Sequence, residues 1–157
     1  MELRGYRNED AGPTRAVFER AVRLTACGDY SEEQVEAWAP TDLTASDLEA
    51  WGVERKSAQT VVAAEGGQVL GFSDLVDGRL LDMLYVDPSA GRRGIATALL
   101  TEILSLAHDE GAPEIETYAS LTARPVFERH GFTVIEQNTV HVRGVSMTNF
   151  RMRRPLP

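Results

Sequence analysis

With 157 residues, 43% hydrophobic and 25% charged, the chain has the size and composition of one folded domain with a real core, not of a disordered tract. Its formal net charge of −8 argues against nucleic acid as a partner, which needs a basic face, and favours a neutral or cationic ligand. No apolar run approaches the roughly 18 to 20 residues of a membrane helix, and the charged start, MELRGYRNED, lacks the apolar segment of an export signal.

Residues Glu2 to Tyr6 alternate polar and apolar and suit a first strand. Asn8 or Asp10 can cap a helix with Pro13 in its first turn. Ala16, Val17, Val22 and Leu24 carry its apolar stripe as far as Cys27, and Gly28-Asp29 stops it. Cys27, the single cysteine, is read as a buried thiol on that stripe; with no partner for a disulfide it fits a reducing cytoplasm. Ser31 with Gln34 is a capping-box pattern and opens a short helix through Val35 and Trp38, ended by Pro40. Thr44 or Ser46 opens a further helical piece carrying Leu48 and Trp51.

From Gln59 the period becomes that of strands. Thr60 to Ala64, Val69 to Val76 and Arg79 to Val86, divided by Glu65-Gly66-Gly67 and Asp77-Gly78, read as an antiparallel meander. A helix after Gly94 places Ile95, Ala98, Leu99, Ile103, Leu106 and Ala107 on one face and ends at Gly111. Glu114 to Ala119 is the fifth strand; a single helix separates it from the fourth, so the two run parallel. Leu121 to His130 is helical, with Pro125 in its first turn, and stops at Gly131. Phe132 to Val142 and Val145 to Met152 form a last hairpin around Arg143-Gly144. Written in order the elements are β-α-α-β-β-β-α-β-α-β-β, an α/β (α+β) chain with one mixed sheet of about seven strands and one domain over residues 1–157.

The chemistry concentrates in Leu84 to Leu100, LYVDPSAGRRGIATALL. A strand end, a glycine-containing loop and a helix N-terminus in succession make a site for a phosphate. Arg92 and Arg93 add full charges there, and Gly94 allows a ligand close to the backbone. The run Gly91-Arg92-Arg93-Gly94-Ile95-Ala96 resembles the acetyl-CoA loop of the GNAT superfamily of N-acetyltransferases, Gln/Arg-x-x-Gly-x-Gly/Ala. Gly91 stands where the family usually has Gln or Arg. A second stretch, Ser120 to Phe132, SLTARPVFERHGF, resembles the segment after the family's fifth strand, where Ala-Arg is followed by Phe-Tyr-Glu-x-x-Gly-Phe. Ala123, Arg124, Glu128, Gly131 and Phe132 match, and Phe127 replaces the Tyr. The resemblance covers nearly the whole chain, and YSEEQVEAWAP resembles a feature of one bacterial branch.

That resemblance implies a GNAT fold whose fourth and fifth strands splay apart around the pantetheine arm of acetyl-CoA. It implies that the backbone of Leu84 polarises the acetyl carbonyl and that Val86 pairs with pantetheine amides. Arg92, Arg93, Gly94, Ile95, Ala96 and Thr97 would cradle the pyrophosphate, Thr97 being equally readable as a solvent-facing helix residue. Gly91, Tyr85, Ser120, Ala123 and Phe127 complete the cosubstrate set, although Tyr85, of opposite strand parity, also suits a structural role. Phe127 cannot protonate the departing sulfur as a Tyr would, and Tyr118 is a candidate replacement. Tyr30, Trp38 and Trp51 are candidates for the acceptor wall, the alternative for the Trp residues being core anchors.

For the base, Asp82 shares strand parity with Leu84 and Val86 and would take the amine proton or bind the acceptor ammonium; the alternative is a solvated strand-edge acid. His141 is a second candidate base or a surface histidine, and His130 suits a helix C-terminal partner. No CxxC, HExxH, G-x-S-x-G or P-loop pattern occurs, so no metal, Ser-hydrolase, ATP or NAD chemistry is expected. The expected activity is acetyl transfer from acetyl-CoA to a small primary amine. A protein N-terminus or lysine, or a non-catalytic acyl-CoA-binding module, are the alternatives, and a homodimer is left open.

Overall fold

Seven strands form one sheet in the order β1-β2-β3-β4-β5-β7-β6, made of β1 (Glu2–Gly5), β2 (Gln59–Glu65), β3 (Gln68–Val76), β4 (Leu80–Val86), β5 (Glu114–Ser120), β6 (Thr133–Val142) and β7 (Val145–Pro155). The computed structural model describes all residues, Met1–Pro157. Five helices complete it: α1 (Ala11–Leu24), α2 (Glu32–Trp38), α3 (Ala45–Ser57), α4 (Ile95–Asp109) and α5 (Arg124–Arg129). The expected strand order and β-α-β unit are present, but three helices, not two, stand between β1 and β2, because both helical pieces after Cys27 form. Reciprocal capping boxes start the last two of these, Ser31 with Gln34 and Thr44 with Asp47.

The sheet separates two cores. On one face, α4 packs Leu99, Ile103 and Ala107 against Leu81, Ile115 and Met152. On the other, α1 and α3 pack Val17, Phe18, Val22 and Trp51 against Val62 and Phe72. Alternation along β3 serves both faces at once, which is why it reads as an almost continuous apolar run. Cys27 is exposed, not buried. Helix α1 stops at Leu24, and a short 3-10 turn, Ala26–Gly28, swings the thiol off the apolar stripe.

Two departures from regular pairing open the middle of the sheet. Parallel β4 and β5 pair only at Leu80↔Glu116 and Leu81↔Thr117 and then diverge. At the fork the Thr117 hydroxyl donates to the Leu81 carbonyl (2.9 Å). Between β3 and β4 the register jumps from Leu75↔Leu81 to Asp74↔Met83, which leaves Asp82 as a bulge. Side chains replace the missing ladder bonds there. Met83 N–H donates to Asp74 Oδ1 (2.9 Å) and Ser73 Oγ donates to the Met83 carbonyl (2.7 Å).

Candidate functional site

The gap between β4 and β5 is one groove with two mouths, which share Trp38, Leu84, Tyr85, Ser120 and Ala123. One mouth opens toward the start of α4 and the end of α1, past Val86 and Ala96. The other opens between α2 and the β6–β7 hairpin, past Asp82, Tyr118 and Met147.

At the first mouth the backbone is the functional material. No main-chain N–H from Arg92 to Thr97 has a main-chain partner, whereas Ala98 already donates to Gly94. Gly94 caps α4 at φ 77°, a conformation that disfavours any side chain, and a Cβ there would meet open space. Arg92 also lies at positive φ, 63°, a strained setting of about 1 kcal/mol or more for a non-glycine. The loop is braced from below. Asp87 accepts from Ser89 N–H (3.0 Å) and from Arg20 Nε on α1 (2.8 Å). Burial opposes the charge on Asp87, but these donors outweigh it and hold the carboxyl below its ordinary value.

Each loop residue takes a distinct place. The Ile95 side chain is buried in the α4 core and leaves only its amide for a ligand. Arg93 is turned to Glu65 (2.6 Å), while Arg92 has no carboxylate partner. Gly91 and Gly94 are exposed, and Ala96 lines the groove. The Thr97 hydroxyl meets His130 Nε2 (3.1 Å), and His130 Nδ1 lies 2.8 Å from the Val126 carbonyl. His130 thus ties the end of α5 to the start of α4. Together these features, open amides at a helix N-terminus beside a free guanidinium and above an apolar slot, fit a pyrophosphate with an attached pantetheine arm.

The second mouth is made of side chains. Tyr30 is buried; its hydroxyl accepts from Leu121 N–H (2.9 Å) and donates to the Thr148 carbonyl (2.9 Å). That phenol pins the segment after β5 to β7, and burial pushes its pKa up. Trp38 packs edge-on to Tyr30 (5.2 Å) and reaches toward Tyr85 (6.5 Å). Tyr85 also packs on Phe18 and Phe72, and burial raises its phenol pKa. Phe127 is buried against Phe132 (5.1 Å) at the floor. Ser120 Oγ accepts from Ala123 N–H (3.0 Å). Tyr118, 50% exposed, stands at the edge.

Trp51 takes the core-anchor alternative, and two expected placements, those of His141 and Asp82, are corrected. Trp51 is not on the groove wall: it lies in the second core, and its indole N–H donates to Thr14 Oγ1 (3.0 Å). His141 is exposed and points away from the groove, because Val140 and Val142, its neighbours of opposite parity, are the ones that line it. Asp82 does line the groove, but not by parity with Leu84. The bulge breaks that parity and turns its carboxylate, 45% exposed, toward Arg55 of α3 (3.7 Å).

Arg55 was not anticipated from the sequence. It is 2% exposed, stacks on Trp51 (4.5 Å to the ring centroid) and lies 2.8 Å from buried Asp74, a charge contact without hydrogen-bond alignment. Burial pushes the Asp74 carboxyl up to about 6; Arg55 pulls it down and Asp82 pushes it up. The available signal was an acid inside the apolar run VLGFSDLV, where a carboxylate needs a partner.

A family model described as an acetyltransferase (GNAT) domain matches residues 26–154. The chain belongs to the GNAT acetyltransferase family. It is 37% identical to an Escherichia coli K12 relative named N-acetyltransferase YafP, over 98% of this chain and 95% of that one. A GCN5-related N-acetyltransferase from Rhodopseudomonas palustris superposes with a TM-score of 0.93 at 34% identity, covering 99% of this chain and 95% of that one. The PaiA N-acetyltransferase of Thermoplasma acidophilum, solved with coenzyme A, shares the GNAT fold at a TM-score of 0.77 and 21% identity, over 98% of each chain. This protein is therefore an acyltransferase with the GNAT split between its fourth and fifth strands.

Proposed function

We propose that the protein transfers an acetyl group from acetyl-CoA to the primary amine of a small molecule, directly, with both substrates held in the one groove. The observation that carries this reading is the pair of adjoining pockets along the β4–β5 gap, with open amides near one and Asp82 lining the other. The amides of Arg92 to Thr97 and the Arg92 guanidinium hold the pyrophosphate. Leu84, Val86, Ala96 and Ala123 enclose the pantetheine arm. Acetyl-CoA supplies an activated acyl carbon; the N–C bond forms there as the C–S bond breaks, and the acetyl oxygen faces the β4 backbone at Leu84.

Asp82 binds the incoming ammonium and accepts its proton through groove water, which leaves the nucleophilic neutral amine. Phe127 is apolar packing, so the sulfur takes its proton from solvent. Calorimetric titration with acetyl-CoA, paired with thiol-release assays on an amine panel, tests the reading. Micromolar binding with amine-dependent thiol release is the expected result. Binding without release for any amine overturns the enzymatic reading in favour of a ligand-binding module.

A further inference from the structure

The second mouth carries more information than the presence of a single carboxylate. Its lining includes Asp82 and no other charged side chain: no Lys, Arg or His faces it. The cation beside Asp82, Arg55, is buried and held by Asp74, and it does not line the cavity. Three of its neutral polar groups bond within the protein, while Asn149 keeps a buried Oδ1 without a partner and Tyr118 stands half-exposed. Tyr30 bridges Leu121 and Thr148, Thr117 donates to Leu81, and Ser120 accepts from Ala123. Besides Asn149, the lining is chiefly hydrocarbon and aromatic ring, from Leu81, Val140, Val142, Met147, Trp38 and Tyr85.

We propose that the acceptor is an apolar primary monoamine: one amine on an aromatic or hydrocarbon body, without a carboxylate and without a second cation. The proposal rests on the acetyl-transfer reading above and adds the class of molecule. Its amine meets Asp82, and its body fills the slot between the Trp38–Tyr85 aromatic wall and the Val140, Val142, Met147 face of the hairpin. An amino acid would bring its carboxylate into a cavity with no cation to receive it and with Asp82 to repel it. A diamine would bury a second ammonium with no second acid. Both penalties are those of an unpaired charge taken out of water, and both exceed what the apolar contacts return. A protein lysine shares the apolar stem but carries peptide groups that the Val140, Val142 and Met147 side chains cannot hydrogen-bond.

Matched acceptors test this with the wild-type protein and saturating acetyl-CoA, thiol release being the readout. 2-Phenylethylamine is compared with phenylalanine, n-hexylamine with 1,6-diaminohexane, and both monoamines with Nα-acetyl-lysine methylamide. The expected kcat/KM for each monoamine is at least about tenfold above its charged counterpart and above the lysine amide. Phenylalanine or the diamine matching its monoamine overturns the proposal while leaving acetyl transfer intact. The lysine amide as the fastest acceptor overturns it in favour of a protein substrate. No thiol release with any amine, while calorimetry shows acetyl-CoA bound, overturns it together with the acetyl-transfer reading. In Asp82→Asn the ratio of 2-phenylethylamine to phenylalanine should narrow at least about threefold, because the repulsion is gone. An unchanged ratio overturns the assignment of Asp82 as the charge that selects the acceptor.

Discussion

The two mouths of the groove are built from different material. The mouth at α4 is main chain: consecutive amides from Arg92 to Thr97, one glycine cap, and a brace from Asp87 and Arg20. The mouth at the hairpin is side chain, gathered from the Tyr30–Trp38 segment, a bulge in β4 and the last two strands. A backbone site needs only a short contiguous motif, because adjacent amides converge wherever a loop enters a helix. A side-chain site needs distant segments to meet, and its chemistry depends on what holds them together. Substitutions should therefore fail differently at the two ends.

The largest effects belong beneath the second mouth. Replacing Arg55 with Met leaves Asp74 buried without its cation. Breaking such a pair costs about 3 to 5 kcal/mol, which denaturant unfolding would register. Asp74 also imposes a pH signature. Its carboxyl is raised from 3.8 to about 6 in the folded protein. A raised acid contributes stability that is full below its unfolded value and is lost as pH rises through the folded one. A shift of that size is worth about 3 kcal/mol. The stability of wild type minus that of Asp74→Asn should accordingly fall between pH 4 and pH 7; a difference flat across that range would refute the raised carboxyl.

At the first mouth, Gly94→Glu combines an unfavourable φ with a negative charge beside the pyrophosphate amides. Acetyl-CoA affinity should fall at least about a hundredfold, roughly 3 kcal/mol, with the melting temperature changed far less than in Arg55→Met. Equal loss of stability in the two variants would erase the distinction between a backbone site and a scaffolded one. Tyr30→Phe comes next. It strips the phenol that joins Leu121 to Thr148, at about 1 to 3 kcal/mol for the partners left unsatisfied. Its signature is a raised KM for the amine with acetyl-CoA binding retained, read by steady-state kinetics beside calorimetry.

The same contrast decides what the sequence disclosed. Gly91 to Ala96 and the alternating strands were legible because each depends on neighbours in the chain: caps, turns and hydrophobic period. The β-α-β unit made β4 and β5 parallel for a topological reason that needs no three-dimensional detail. Asp82 was found by a parity argument that the bulge invalidates. A bulge adds a residue without leaving a mark in the alternation, so the acid reaches the groove for a different reason from the one its position suggested. Trp51 and Trp38 look alike in sequence, each on a short helix. Only the packing of α1 against α3 buries the first and leaves the second on the groove. Arg55 escaped because a basic residue near a helix C-terminus reads as a dipole partner, and its buried partner Asp74 lies on a strand whose register was unknown.

The smallest expected effect is at His141, and it separates side-chain geometry from composition. Histidine near a groove is the usual suspect for a base that works near neutral pH, and removing such a base would flatten the acid limb of the pH–rate profile. In β6, however, Val140 and Val142 point into the groove and His141 faces solvent beside Ser146 on the paired strand. A slip of one residue in that hairpin would exchange the two faces. Arg143-Gly144 prevents the slip: both residues take positive φ, 48° and 78°, the geometry of a two-residue turn that admits one register. Arg143 further donates to the Ala37 carbonyl (2.6 Å), which fixes the hairpin against α2. His141→Ala should leave kcat/KM and its pH dependence unchanged, with the rate still rising toward alkaline pH as the acceptor amine, near 10 for an alkylammonium of the lysine kind, loses its proton. A lost acid limb in that variant would mean that the hairpin sits in the other register in solution, and that the acceptor wall is histidine and threonine instead of valine.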